Sequence, residues 1–216
     1  MMRLYGYFRS SAAFRVRIAL NLKGLAYDTE LVDLSTGGHL SDKYRRINPQ
    51  RRVPTLVDDG VTLIQSLAII EYLEETYPIP PFLPTGGQAR AQVRAIANII
   101  SCDIHPLNNL AVLNYLVGPL GASEHQKSVW YQHWVAEGFN AVESLLAVGS
   151  NTGVFCDGDK PGLADICLVP QVFNAQRFDC DLSPYPTIER IFSACMEHKA
   201  FDAAQPGKQP EAANIT

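Results

Sequence analysis

The sequence predicts a small α+β domain followed by an all-α domain, and three observations carry that expectation. Strand-like and helix-like runs alternate up to about residue 77, prolines then cluster, and helical periodicity alone continues from about Gly87. Pro78, Pro80, Pro81 and Pro84 mark the change as a stiff connector. The expected division is residues 1–80, a linker at 81–86, and residues 87–216.

Residues 4–7 read as a short apolar strand that runs into Arg9-Ser10-Ser11. A helix begins directly after the two hydroxyls, from about residue 12 to 23, with Phe14, Ile18 and Leu22 on one face at i, i+4 and i+8. Lys23-Gly24 supplies a basic last turn and a glycine stop. Ser10 or Ser11 is therefore the N-cap, with unpaired N–H groups and the positive end of the helix dipole behind it. Such a place stabilises an anion, and a thiolate is one candidate, although a serine there commonly does no more than cap. Residues 27–32 read as a second strand, and the polar loop Ser35-Thr36-Gly37-Gly38-His39 leads to a helical patch at 42–47. A third strand at 53–57 and a fourth at 61–64 flank the hairpin turn Asp58-Asp59-Gly60. Pro54 at a strand start asks for an explanation, and a cis X-Pro bond beside a binding cleft supplies one. Ser66 reads as the N-cap of a helix to residue 77, with Leu67, Ile70, Leu73 and Glu74 giving one buried and one wet face. The order βαβ-α-ββα is a thioredoxin-like layout. Beyond the prolines, helices are expected over 88–117, 123–148, 163–176 and 187–199. The tail after Phe201, with Pro206 and Pro210, is expected to wrap the surface or fray.

Composition narrows the function. With 47% hydrophobic and 19% charged residues, the 216-residue chain is that of an ordinary globular protein. A net charge of −4 without a basic block argues against nucleic acid as a partner. No apolar run reaches the ~18 residues that span a bilayer, and the N-terminus has no signal-peptide core, so the cytoplasm is the expected location. Cys102, Cys156, Cys167, Cys180 and Cys195 are odd in number and lack a C-x-x-C pair. They read as buried structural thiols, with no disulfide framework and no metal site.

Several motifs, in order along nearly the whole chain, carry a resemblance. They are Arg9-Ser10-Ser11…Arg15-Val16-Arg17-Ile18-Ala19-Leu20, Asn48-Pro49…Val53-Pro54-Thr55-Leu56 and Gln65-Ser66-Leu67-Ala68-Ile69-Ile70-Glu71-Tyr72-Leu73-Glu74. Ile104-His105-Pro106-Leu107-Asn108-Asn109-Leu110, Ala164-Asp165…Leu168-Val169-Pro170-Gln171, Arg177-Phe178 and Pro184-Tyr185-Pro186 follow. Together they resemble the soluble glutathione transferases, specifically the zeta class, which includes maleylacetoacetate and maleylpyruvate isomerases.

The resemblance implies glutathione as cofactor and assigns the residues. Gln65 and Ser66 would clamp its γ-glutamyl carboxylate at a helix start, and the Val53 backbone, turned by a cis bond to Pro54, would pair with its cysteinyl backbone. Ser10 would hold the sulfur, with Ser11 as second choice. A free thiol of pKa ~8.5 is only a few per cent ionised at neutral pH, and lowering that by ~2 pH units stabilises the thiolate by about 2.7 kcal/mol. His39 matches a contact to the glycyl end, and His105 lies in the active-site wall, with Asn109 on the same helical face at i+4. Arg9 and Arg177 match positions used for substrate carboxylates. Two departures stand out. The family motif commonly continues Ser-Ser-Cys-x-Trp, whereas Ala12 and Phe14 stand here, which puts dichloroacetate dehalogenation in doubt. Gly162 replaces the hydroxyl that usually starts the family's capping box before Asp165.

The implied reaction is cis–trans isomerisation of maleylacetoacetate or maleylpyruvate, oxo-acids with two carboxylates, in aromatic catabolism such as tyrosine degradation. Thiolate addition makes the double bond single, rotation follows, and elimination regenerates glutathione. Arg9 and Arg177 would hold the carboxylates, with His105 as a proton or hydrogen-bond partner. The competing readings are conjugation of small electrophiles and a catalytically silent interaction module. Two arginines beside an apolar substrate weigh against the first. The intact Ser10, Val53-Pro54 and Gln65-Ser66 set weighs against the second. A homodimer is expected from the family alone.

Overall fold

The computed structural model describes residues 1–214. The chain divides into two units: Met1–Pro81 together with the chain from Met196, and Phe82–Cys195.

The first unit is built on a four-stranded mixed sheet of order β2-β1-β3-β4. Strand β1 (Met2–Gly6) runs parallel to β2 (Tyr27–Leu31), with Met2 opposite Tyr27. β3 (Thr55–Asp58) lies antiparallel to β1 and pairs in turn with β4 (Val61–Ile64). Asp59 (φ 46°) and Gly60 (φ 81°) make the two-residue turn, and both positive angles suit the twist of a tight hairpin. Helix α1 (Ser11–Lys23) joins β1 to β2, and α2 (Asp42–Ile47) and α3 (Ser66–Thr76) complete the expected βαβ-α-ββα order.

Helix α1 is buried more completely than its sequence suggests. Phe14 and Ile18 are in the core as expected, yet Leu22 is only half-buried, while Arg15 and Arg17 are buried. The helix stops at Gly24 in the left-handed conformation (φ 66°), with the Leu25 N–H returning to the Leu20 carbonyl at 3.0 Å.

The tail corrects an expectation. Through residue 214 it belongs not with the second unit but with the first, where α9 (Lys199–Ala204) and the 3₁₀ turns Pro206–Lys208 and Pro210–Asn214 pack. Ala200, Phe201 and Ala204 are buried, and α9 lies against α1, where Asn21 Nδ2 donates to the Ala200 carbonyl at 3.0 Å. The expected linker also shifts, since the first unit ends at Pro81 and Phe82 and Leu83 are buried members of the second.

The second unit comprises α4 (Gly87–Asn98), α5 (Leu110–Val117), α6 (Glu124–Val148), α7 (Leu163–Arg177) and most of α8 (Pro186–Glu197). The single helix expected over 88–117 is broken. α4 passes into a π-helical segment, Ile99–Ile104, in which the His105 N–H bonds the Ile100 carbonyl five residues back at 3.0 Å. A turn follows, and Asn109 starts α5 as a fresh N-cap. Gly138 on α6 admits this wide segment, because a Cβ built there would overlap the Ile104 side chain. Gly138→Ala is accordingly expected to cost about 1–3 kcal/mol, read as a lowered Tm; an unchanged Tm would show that the π segment yields without loss.

At the start of α7, Asp165 does what the truncated capping box leaves it. Its carboxylate accepts from the Gly162 N–H at 2.8 Å and from the Cys156 N–H at 2.9 Å. The reciprocal hydroxyl is missing, since the cap is glycine, and a Cβ at Gly162 would press on the Phe82 carbonyl.

Candidate active site

Ser10 is the N-cap of α1, which decides between the two serines. Its backbone is extended (φ −74°, ψ 118°), and its Oγ accepts from the Ala13 N–H at 3.2 Å. A hydroxyl that accepts from the helix keeps its one proton for a further acceptor. Ser11 is instead the first helical residue and is buried. The turn before Ser10 is closed by the Ser10 N–H on the Tyr7 carbonyl at 2.9 Å. Arg9 is exposed there, its guanidinium 4.9 Å from the centre of the Phe8 ring.

The expected cis bond between Val53 and Pro54 is present. Among the described residues no hydrogen bond engages the Val53 backbone, so its N–H and C=O are both available. The neighbouring Arg52 carbonyl, by contrast, is held by Tyr44 Oη and Asn48 Nδ2, both at 2.7 Å.

Gln65, and not the expected Ser66, is the N-cap of α3, with a positive φ (φ 70°, ψ 119°) rarely adopted by a residue with a side chain. The Gln65 side chain does not cap the helix; its Nε2 donates to Gln50 Oε1 at 2.7 Å. Ser66 opens the helix, buried, and its Oγ accepts from Arg15 Nη1 at 3.4 Å. A helix start without a side-chain cap presents its N–H groups outward, which is an anion site. Nothing in the local sequence signals the positive φ.

His39 lies in a 3₁₀ turn, Gly38–Leu40, and not in an open loop. Its Nδ1 is buried without a hydrogen-bond partner, and burial with the nearby Arg51 holds the imidazole below its usual pKa. Ser10, Arg9, His39, Val53, Pro54, Gln65 and Ser66 all belong to the first unit.

His105, Asn109 and Arg177 belong to the second. His105 follows the π segment, half-buried. The i+4 relation expected between it and Asn109 does not hold, because the chain turns between them. Asn109 is committed to capping: its Oδ1 accepts from the Ala111 and Val112 N–H groups at 2.9 and 3.2 Å, and its Nδ2 donates to the Pro106 carbonyl. Arg177 ends α7, exposed, with Nη1 donating to Asn174 Oδ1 at 3.2 Å and the guanidinium 5.4 Å from the Phe178 ring centre. Phe178 in turn stacks on Tyr131 at 3.9 Å, a support that spacing alone did not reveal. Of the cysteines, Cys156, Cys167 and Cys195 are buried as expected, Cys180 is half-buried, and Cys102 is exposed; none of the five is disulfide-bonded. Among the described residues no cluster suits a metal ion, and no helix is long and apolar enough to cross a membrane.

Known proteins share this fold. Residues 4–85 match the family model of the glutathione S-transferase N-terminal domain. The chain is 49% identical over 212 residues to a probable maleylacetoacetate isomerase of Vibrio cholerae, covering 97% of each. It superposes with a TM-score of 0.95, at 48% identity and over 97% of this chain and 99% of the other, on a holo maleylpyruvate isomerase described as a bacterial zeta-class glutathione S-transferase. A maleylacetoacetate isomerase of Methylobacterium extorquens with bound malonate and glutathione gives a TM-score of 0.94 at 40% identity, over 97% of this chain and 99% of that one.

Proposed function

The chain belongs to the zeta class of the glutathione transferases, and from that premise we propose that it is the glutathione-dependent cis–trans isomerase of maleylacetoacetate or maleylpyruvate. The observation that carries the reading is the Ser10 cap, a hydroxyl that accepts from the Ala13 N–H and still has a proton to give.

The residues present suit glutathione. Two amide positions without intramolecular partners, the Val53 backbone and the uncapped start of α3, are what a peptide with a terminal carboxylate needs. His39 is assigned to a contact at the glycyl end. When bound, glutathione supplies a thiolate that adds reversibly to the substrate double bond and so permits its rotation. Ser10 Oγ–H donates to that sulfur, and the α1 N-terminus favours its negative charge. The α3 start, with Gln65 and Ser66, takes the γ-glutamyl carboxylate. Arg9 and Arg177 are assigned to the two substrate carboxylates, which fix the reacting carbon and stabilise charge on the carbonyl oxygen. His105 is assigned to hydrogen bonding or proton exchange at that oxygen. Ser11 is buried in the first turn of α1 and is assigned no contact to substrate. Asn109 is best assigned to starting α5. A homodimer and a cytoplasmic location belong to the same reading, and sedimentation tests the first.

Isomerisation of maleylpyruvate and of maleylacetoacetate, each with and without glutathione, tests the function. Glutathione-dependent turnover of at least one is expected, and the ratio of kcat/KM names the preferred substrate. No turnover of either by protein that binds glutathione would move the assignment to conjugation chemistry.

A further inference from the structure

The Ser10 turn is held from behind by a part of the chain far away in sequence. Arg17 is 2% exposed, and its guanidinium bridges two carbonyls: Nη2 donates to Phe8 at 3.0 Å and Nε donates to Ala204 at 3.0 Å. Phe8 is two residues before Ser10, whereas Ala204 ends α9. A second tie runs through the core. Phe8 packs with Tyr7, Val32, Tyr44 and Val53, and Ala212 of the last 3₁₀ turn packs against that same cluster. The C-terminal segment is thus tied through Arg17 to the turn that carries Ser10, and it packs on the cluster that includes Val53, the residue that precedes Pro54.

We infer that Arg17 and residues 199–214 are positioning elements for the Ser10 hydroxyl, acting through the Phe8 carbonyl. This deepens the reading above and rests on Ser10 holding the glutathione thiolate. A buried guanidinium is a costly tie unless its donors are satisfied. Here burial lowers its pKa to about 10, opposed by Tyr27 of β2 and Glu211 of the last turn, and it remains charged at neutral pH. The arrangement puts a charge-assisted bond on the carbonyl that shapes the approach to α1. Without it the Phe8 carbonyl is left buried and unpaired, and the turn must shift to find another donor. A hydroxyl that must reach a sulfur tolerates only a small displacement before its bond weakens.

The test is the thiol pKa of bound glutathione, followed by ultraviolet thiolate absorbance across a pH titration, in the wild type, Arg17→Met and Gln209→Ala. Gln209 is chosen because its Nε2 clamps the segment, donating to the Ala203 and Gln205 carbonyls at 3.0 and 2.9 Å. Arg17→Met is expected to raise the thiol pKa by about one pH unit, which is a tenfold loss of thiolate at fixed pH below it. Gln209→Ala is expected to raise it less, with faster exchange of the Ala13 amide that bonds Ser10 Oγ. Arg17→Lys, which keeps a cation able to reach one carbonyl, should recover part of the shift. If Arg17→Met does not fold, Gln209→Ala decides alone. Folded variants whose bound thiol titrates as in the wild type would overturn the inference. A wild type whose bound thiol titrates like free glutathione would instead refute the Ser10 assignment, and the inference with it.

Discussion

Ser10→Ala is expected to lower kcat/KM by roughly 100- to 1,000-fold, the loss typical of removing one preorganised donor from a reacting anion. Two effects add at this position. The variant loses the proton that Ser10 Oγ offers to the sulfur, and it loses the cap on the Ala13 N–H. The second costs about 1 kcal/mol of stability, visible as a small fall in Tm with the fold intact. The first should appear as a higher pKa for bound glutathione, so the rate should recover as pH rises above the new value. Ser11→Ala should do much less to the rate, because Ser11 is buried within the first turn and is not the cap. A loss of only a few-fold in Ser10→Ala, or an equal loss in both variants, would contradict the assignment.

Arg177→Gln should raise KM for the oxo-acid and lower kcat/KM by about 10- to 150-fold, which is the worth of one charge-assisted bond of ~1.5–3 kcal/mol. Glutathione affinity should hold, which separates a carboxylate contact from general damage at the end of α7. The guanidinium is already oriented by the Phe178 face and by Asn174 Oδ1 at 3.2 Å, so Arg177→Lys should recover only part of the loss. Arg9→Gln should behave in the same way. A substrate with one carboxylate masked as an ester should discriminate less between wild type and one of these two variants. Equal losses for the diacid and its monoester in both would show that neither arginine reads a carboxylate.

Local chemistry is what the sequence displayed most clearly. Residues 42–47 and 61–64 were expected as a helix and a strand and are α2 and β4, because each is bounded by its own turn residues. A serine cap at position 10 or 11, the glycine stop at Gly24 and the cis bond before Pro54 were legible for the same reason, whereas the choice of Ser10 needed the backbone. Features that depend on distant partners were not. Ile99, Ile100 and Ile104 continue an apolar pattern through the π segment, and periodicity reports spacing without reporting which carbonyl each N–H bonds. Ala200, Phe201 and Ala204 are too few to show a period, and their burial depends on α1 receiving them. The burial of Arg15 and Arg17 depends on the carbonyls and hydroxyl they serve, which no local pattern reports. The strained Gln65 has no local cue, since glutamine does not announce a positive φ.

Whether the glutathione thiolate is returned after every turnover is tested most directly by the concentration of free glutathione through complete conversion. With substrate in large excess over glutathione, full isomerisation to the fumaryl product is expected, with a free-thiol concentration equal at the end to that at the start. Loss of thiol in step with loss of substrate, with a stable conjugate accumulating, would contradict that return and identify the chain as a conjugating transferase.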